Sequence, residues 1–173
     1  MKPVFLLIGI PLLVLISGCA RQPRKVTEAG PPTPAQSLPS PPVSERGSPA
    51  EAKAMLQKAV DHYNSVGREQ ALSDFNHQKE PFGDRDLYVV CIGANYTLTA
   101  NGGFPKYVGL SPDILKDAEG KPVGKSIWET GNSKGEGSVQ YMMTNPVSHK
   151  IEPKITFVRK VGSDVCGVGA YNP

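Results

Sequence analysis

Tryptophan occurs once in the 173 residues, histidine three times and cysteine three times, and aromatic side chains make up only 7% of the chain. His62, His77 and His149 lie far apart, with no cysteine or carboxylate at ligand spacing beside them, which argues against a structural metal site. A surplus of one charge is missing too: 19 basic side chains face 16 acidic ones, for a formal +3 that falls to +2 once Lys2 leaves with the processed leader. No basic cluster or aromatic-interleaved stripe accompanies it, so a nucleic-acid surface is excluded. Asp113, Asp117 and Glu119 lack the alternating spacing of a calcium loop and read as a turn into Gly120. Gly167 and Gly169 lack the third glycine and the following helix of a dinucleotide loop. No nucleophile motif surrounds any serine, and Cys91 and Cys166 sit in apolar runs that do not activate a thiol. The residues therefore read as a protein that is not an enzyme and holds no cofactor.

Long apolar runs are equally scarce. The one present, Val4 to Ile16, follows Lys2, is too short to span a bilayer and is flanked like a secretory signal. It ends in Ile16, Ser17, Gly18 and Cys19, which resembles the bacterial lipobox. That predicts a lipoprotein signal peptide over 1–18 and lipidation of the Cys19 thiol, so that the membrane is met through an N-terminal lipid and not a transmembrane helix. The competing reading is an ordinary signal peptide whose cysteine merely lies near the cut. Ala20, where Asp would retain a lipoprotein at the inner membrane, sets the expected destination as the periplasmic face of the outer membrane, by resemblance to the class.

Proline is plentiful but uneven. Pro23, Pro31, Pro32, Pro34, Pro39, Pro41 and Pro42 fall within 19–47, among Ser, Thr, Gln and Gly with almost nothing apolar to bury. The segment reads as a lipid-anchored, disordered or polyproline-like linker. At about 3.1 Å per residue where extended, roughly 28 mostly extended residues would reach up to about 80 Å.

One domain is expected over 48–173. Ser48, Pro49 and Glu51 carry a helix-start signal, and Ala52, Met55, Leu56, Ala59, Val60 and Tyr63 recur at helical spacing until Gly67. Arg68 to Asn76 repeats the spacing in a shorter helix. Strands are expected at Leu87–Ile92, Tyr96–Thr99, Ser138–Met143, Lys154–Val161 and Val165–Tyr171, with a hairpin at Gly162, Ser163 and Asp164. The Gly-, Pro- and Lys-rich stretch 102–137 suits loops and short helices over a sheet. The order argues for an α+β domain with an antiparallel sheet.

Read in order, GREQALSDF at 67–75, DLYVVCI at 86–92, KDAEGK at 116–121, GEGSVQYMMTNP at 135–146, KITFVRK at 154–160 and GVGAY at 167–171 resemble single Cache domains, over roughly residues 48–173. The resemblance implies an extracytoplasmic sensor with a PAS-like fold: a five-stranded antiparallel sheet, a long N-terminal helix behind it, and a pocket for a small organic acid on the other face. It also makes the first and last long strands neighbours, which implies a Cys91–Cys166 disulfide; two free buried thiols are the alternative. Met143 stands where the family commonly has an aromatic residue, replacing a rigid pocket wall with a flexible one.

Lys154 and Tyr141 are the expected ligand contacts, because strand alternation puts them on faces shared with Thr156, Val158, Val139 and Met143. A buried amine and hydroxyl want an anionic partner, and a carboxylate supplies both acceptors. Met143, Trp128 and Tyr107 are expected around the ligand's apolar part. Against this stands an exposed strand end for Lys154, plain core roles for Tyr141, Trp128 and Tyr107, and a simple turn at Asn145–Pro146. The resulting expectation is a lipid-anchored sensor-type domain that binds a small carboxylate without catalysis and signals through a separate membrane protein. The rival is an accessory lipoprotein whose Cache-like domain docks on a membrane complex.

Overall fold

A computed structural model describes residues 46–171. The leader, Cys19 and all but the last two residues of the linker lie outside the described residues. Helix α1, Pro49–Val66, opens as its sequence dictates: Ser48 Oγ accepts the Glu51 amide at 3.2 Å while the Glu51 carboxylate accepts the Ser48 amide at 2.7 Å. Gly67, at φ 82, ends α1 and directly precedes α2, Arg68–Asn76. After α2 come β1 (Gly83–Asp84), β2 (Leu87–Gly93), β3 (Leu98–Asn101), two 3-10 turns at Pro105–Tyr107 and Pro112–Ile114, and α3 (Val123–Lys134). The chain then runs through β4 (Glu136–Thr144), β5 (Ile151–Val161) and β6 (Asp164–Tyr171).

The strands form one six-stranded sheet in the order β1-β2-β6-β5-β4, with β3 also paired to β2, and every pairing is antiparallel. Five strands were expected. The sixth is β1, two residues that carry no alternation of their own and pair with Leu87 and Tyr88. The stretch expected as loops and short helices contains a 12-residue helix, α3, as well as the 3-10 turns.

Alternation along the strands splits the interior in two. Leu87, Val89, Cys91, Cys166, Val168 and Ala170 face α1 and α2, where they pack with Met55, Leu56, Phe75 and Phe82. Val90, Ile92, Val158 and Val165 face the opposite way, toward Leu115, Val123 and Ile127. Cys91 and Cys166 are register partners with Cα atoms 4.1 Å apart, and they form a disulfide. Asp164, fully buried, ties helices to sheet by accepting from Tyr63 Oη at 2.7 Å, Arg68 Nε at 2.7 Å and Thr99 Oγ1 at 2.8 Å. Burial pushes its carboxyl up, but these hydrogen bonds outweigh it and hold the group below the usual carboxylate range.

Candidate ligand-binding site

On the sheet face away from α1, Tyr88, Tyr141, Lys154 and Thr156 border a cavity of about 390 Å³, within the ordinary range for small-molecule sites. Phe104, Tyr107, Leu115 and Ile127, from the segment between β3 and β4, line it from above. Lys116 also borders it and is solvent-exposed.

Lys154 lies inside β5, not at its end. The strand starts three residues earlier, and Pro153 keeps register opposite Met142. The residue is 4% exposed, and its amine donates to Tyr88 Oη at 2.9 Å and Tyr171 Oη at 3.4 Å and sits 4.1 and 4.4 Å from the centroids of the same two rings. Two aromatic faces stabilise a desolvated cation. Among the described residues no carboxylate lies within ion-pair distance of it. Burial lowers the Lys154 ammonium to about 7, a shift that the charge of Asp86 only partly opposes. Two of the three ammonium protons are engaged by phenols, and the third remains for a ligand.

Gly169 makes this arrangement possible. A Cβ there would collide with Lys154 Cε and Thr156 Oγ1, so the lysine crosses β6 where a side chain is missing. Tyr141 Oη and Thr156 Oγ1 are 2.6 Å apart, and burial pushes the Tyr141 phenol up to about 12 against the effect of that bond. Burial raises the Tyr88 phenol further. Both remain neutral hydrogen-bonding groups at neutral pH.

Of the residues expected at the site, Lys154, Tyr141, Met143 and Tyr107 line the cavity. Trp128 does not, and its placement there is corrected. Ile127 takes the cavity-facing position on α3, so the next residue, a little over a quarter-turn round the helix, packs edge-to-face on Tyr96 at 5.3 Å. Its indole nitrogen is buried without a hydrogen-bond partner among the described residues. Asn145 forms the β4–β5 turn, accepting from the Val147 amide at 2.8 Å, and is not part of the cavity. Tyr88 and Asn101 on the cavity wall and Tyr171 behind the amine were not anticipated, whereas Thr156 shares the face of Lys154 as expected. Tyr88 shares strand parity with Val90 and Ile92, the one signal that would have placed it here.

A second polar cluster adjoins the first. Arg46 grips Glu152 through two bonds of 2.9 and 2.8 Å, Asn145 Nδ2 bridges Glu152 and Asp86 at 3.0 and 3.1 Å, and Asp86 accepts the Gly47 amide at 2.7 Å. Glu152 and Asp86 stand two residues before Lys154 and Tyr88.

The sequence model of the single Cache domain 2 family matches residues 46–169. No curated protein matches the chain significantly. Among solved structures, the chain is similar to a methyl-accepting chemotaxis protein from Vibrio parahaemolyticus RIMD 2210633, with 19% identity, a TM-score of 0.59, and coverage of 70% of this chain and 86% of that one. It is similar to the periplasmic sensor domain of a chemotaxis protein at 22% identity and TM-score 0.60, covering 72% and 94%. A third is a Cache chemosensory domain described for carboxylic acid recognition, at 19% identity and TM-score 0.54, covering 72% and 88%. At these identities the likeness is one of fold.

Proposed function

The chain belongs to the single Cache domain 2 family, and on that premise we propose that it is a non-catalytic, extracytoplasmic sensor-type domain that binds a small organic carboxylate at Lys154. The observation that carries the reading is a buried amine at the wall of an open cavity with no acid among the described residues within ion-pair distance of it. A charge left in that state is costly, and a carboxylate entering the cavity supplies the missing counter-ion and accepts the remaining ammonium proton. Tyr141 and Thr156 add neutral hydroxyls beside it, and Met143, Tyr107 and Phe104 cover the hydrocarbon part. The carboxylic acid recognition described for one structural neighbour agrees with this chemistry. No serine, histidine or cysteine lines the cavity.

Cys19 anchors the domain to the membrane by its lipid in this reading, on the periplasmic face of the outer membrane, and ligand binding is relayed to a separate membrane protein. The rival accessory-lipoprotein role calls for a filled sheet face, whereas here the face opens on a cavity lined by polar groups. Calorimetric titration with a panel of short carboxylic acids tests the proposal. Lys154→Met removes a charge-assisted contact of about 1.5–3 kcal/mol and should weaken binding roughly tenfold to a hundredfold. Unchanged affinity in that variant would return the preference to the accessory role. Cys19→Ser should release the protein from membranes or block its processing, and membrane retention of a processed Cys19→Ser protein would sink the anchor.

A further inference from the structure

Arg46 and Gly47, the two described residues ahead of the α1 cap, form a strap fastened to the acids beside the amine. Gly47 lies so close to the Leu87 side chain that a Cβ would collide with it, and this approach carries its amide to Asp86 Oδ1 at 2.7 Å. Asn145 Nδ2 holds the other oxygen at 3.1 Å, so both Asp86 oxygens are occupied in a residue that is fully buried. Glu152 is occupied likewise. Arg46 and Ser148 donate to its Oε1 at 2.8 and 3.0 Å, and Arg46 and Asn145 to its Oε2 at 2.9 and 3.0 Å. Burial pushes the Glu152 carboxyl up, but the bonds from Arg46, Ser148 and Asn145 outweigh it and hold the group below the usual carboxylate range. Two acids, Asp86 and Glu152, thus stand with two cations, Arg46 and Lys154. Asp86 lends the amine its charge without touching it, because its oxygens are already taken.

From this we infer that the strap controls the ligand site: fastened, it keeps Asp86 occupied and leaves Lys154 to take a carboxylate; released, it lets Asp86 pair with the amine in the ligand's place. The inference rests on the reading of Lys154 as the carboxylate site. Loss of Arg46 leaves two acids to one cation, and loss of the Gly47 amide leaves a buried carboxylate oxygen unmet. Lys154 is placed to answer it. Its stem crosses β6 over Gly169 and its amine already meets Tyr88, two residues beyond Asp86. The other groups around the amine do not compete. Burial raises the Tyr88, Tyr141 and Tyr171 phenols, which stay neutral at neutral pH. Tyr107 and Lys116 border the cavity from the segment above, and Lys116, a cation, cannot pair an amine. Coupling is reciprocal: a carboxylate on Lys154 removes the partner that Asp86 would gain, so it tightens the strap. The chain upstream of Arg46 thereby has a route to the site that does not pass through the cavity.

The first test needs no ligand. In the full-length chain in detergent, lysine is labelled with carbon-13 at Cε and the Lys154 resonance is assigned by its loss in Lys154→Met. Arg46→Gln should move the pH at which this amine titrates upward, and Arg46→Lys should return it toward the wild-type value. An unchanged or lowered midpoint in Arg46→Gln would overturn the proposal. The reciprocal measurement does not depend on an Arg46 variant folding. Lys154→Met takes away the partner that Asp86 gains on release, so at about pH 6, where the wild-type amine is charged, the Gly47 amide should exchange its hydrogen about fivefold or more slowly than in wild type, each rate referred to the Val168 amide of β6. Equal or faster relative exchange would overturn the proposal as well. Calorimetric titration with acetate, propanoate and butanoate separates the parent reading. An acid that binds wild type should bind Arg46→Gln about fivefold or more weakly, and equal affinity would overturn the strap's control of the site. Binding of none of the three to wild type would overturn the carboxylate reading and the gating with it, while the titration and exchange results still decide whether the strap governs the amine's charge.

Discussion

Toward α1 and α2 the sheet presents Leu87, Val89, Cys91, Cys166, Val168 and Ala170, all buried, all apolar or joined by a disulfide. Toward α3, β2, β6 and the neighbouring β5 present Tyr88, Gly169, Lys154 and Thr156 around unfilled space. Period-two alternation lets one set of strands build both faces, one maximising contact and the other leaving room. The proposed site rests on this contrast. A packed apolar face explains itself through stability, whereas a buried amine with no acid partner among the described residues lowers stability and needs another reason to be there.

The separation of the two faces can be broken experimentally, and the largest effect should come from the packed one. Phe75, fully buried and edge-on to Phe82 at 4.8 Å, should cost about 3–5 kcal/mol of unfolding free energy as Phe75→Ala, read by urea denaturation. Affinity per folded molecule should stay as it was, and a parallel loss of affinity would show that the faces are coupled. Next comes the disulfide. The double variant Cys91→Ala, Cys166→Ala should lose about 2–4 kcal/mol, again without a change in binding.

The pocket face sharpens the comparison through pH. Burial lowers the Lys154 ammonium to about 7, so between pH 7 and the ordinary lysine range the unfolded chain holds a proton that the folded chain does not. Stability of the ligand-free protein should therefore rise with pH in that window, by about 1.4 kcal/mol per unit relative to Lys154→Met, and lose this dependence below pH 7. Denaturation at several pH values checks it, and parallel profiles for the two proteins would refute the desolvated amine. Carboxylate affinity should move the opposite way, falling above pH 7 as the amine deprotonates. The smallest effect belongs to Tyr141→Phe, which removes one neutral hydroxyl and should weaken acid binding by less than about tenfold in the same titration.

Much of the packed face was legible in the sequence, because it obeys simple periods. The capping residues and the Ala52-to-Tyr63 spacing gave α1, and the apolar run from Leu87 gave β2. Helix α3 was obscured by Gly124 and Gly131, which suggest loop. Both are there for close approach: a Cβ at Gly124 would strike the Pro112 carbonyl, and one at Gly131 the side chain of Val165. Pro153 hid the true start of β5, so Lys154 read equally well as an exposed end. Tyr88 sat unremarked in an apolar run, and Asn101 lay past Thr99, the expected end of its strand. Their roles depend on partners from distant segments, 66 residues apart for Tyr88 and Lys154, which no local pattern carries.

The grip of Arg46 on Glu152 decides where a mechanical load enters the domain. Tension applied to the chain upstream of Arg46 is not received first by the cap of α1. It passes through a two-bond guanidinium–carboxylate contact into the first turn-proximal residues of β5, and through the Gly47 amide into Asp86 ahead of β2. Both anchor points stand two residues from the buried amine and one of the rings around it, Lys154 and Tyr88. A domain cut to begin at Ser48 would keep every helix and strand and still lose this fixture, leaving two buried carboxylates without their donors from Arg46 and Gly47.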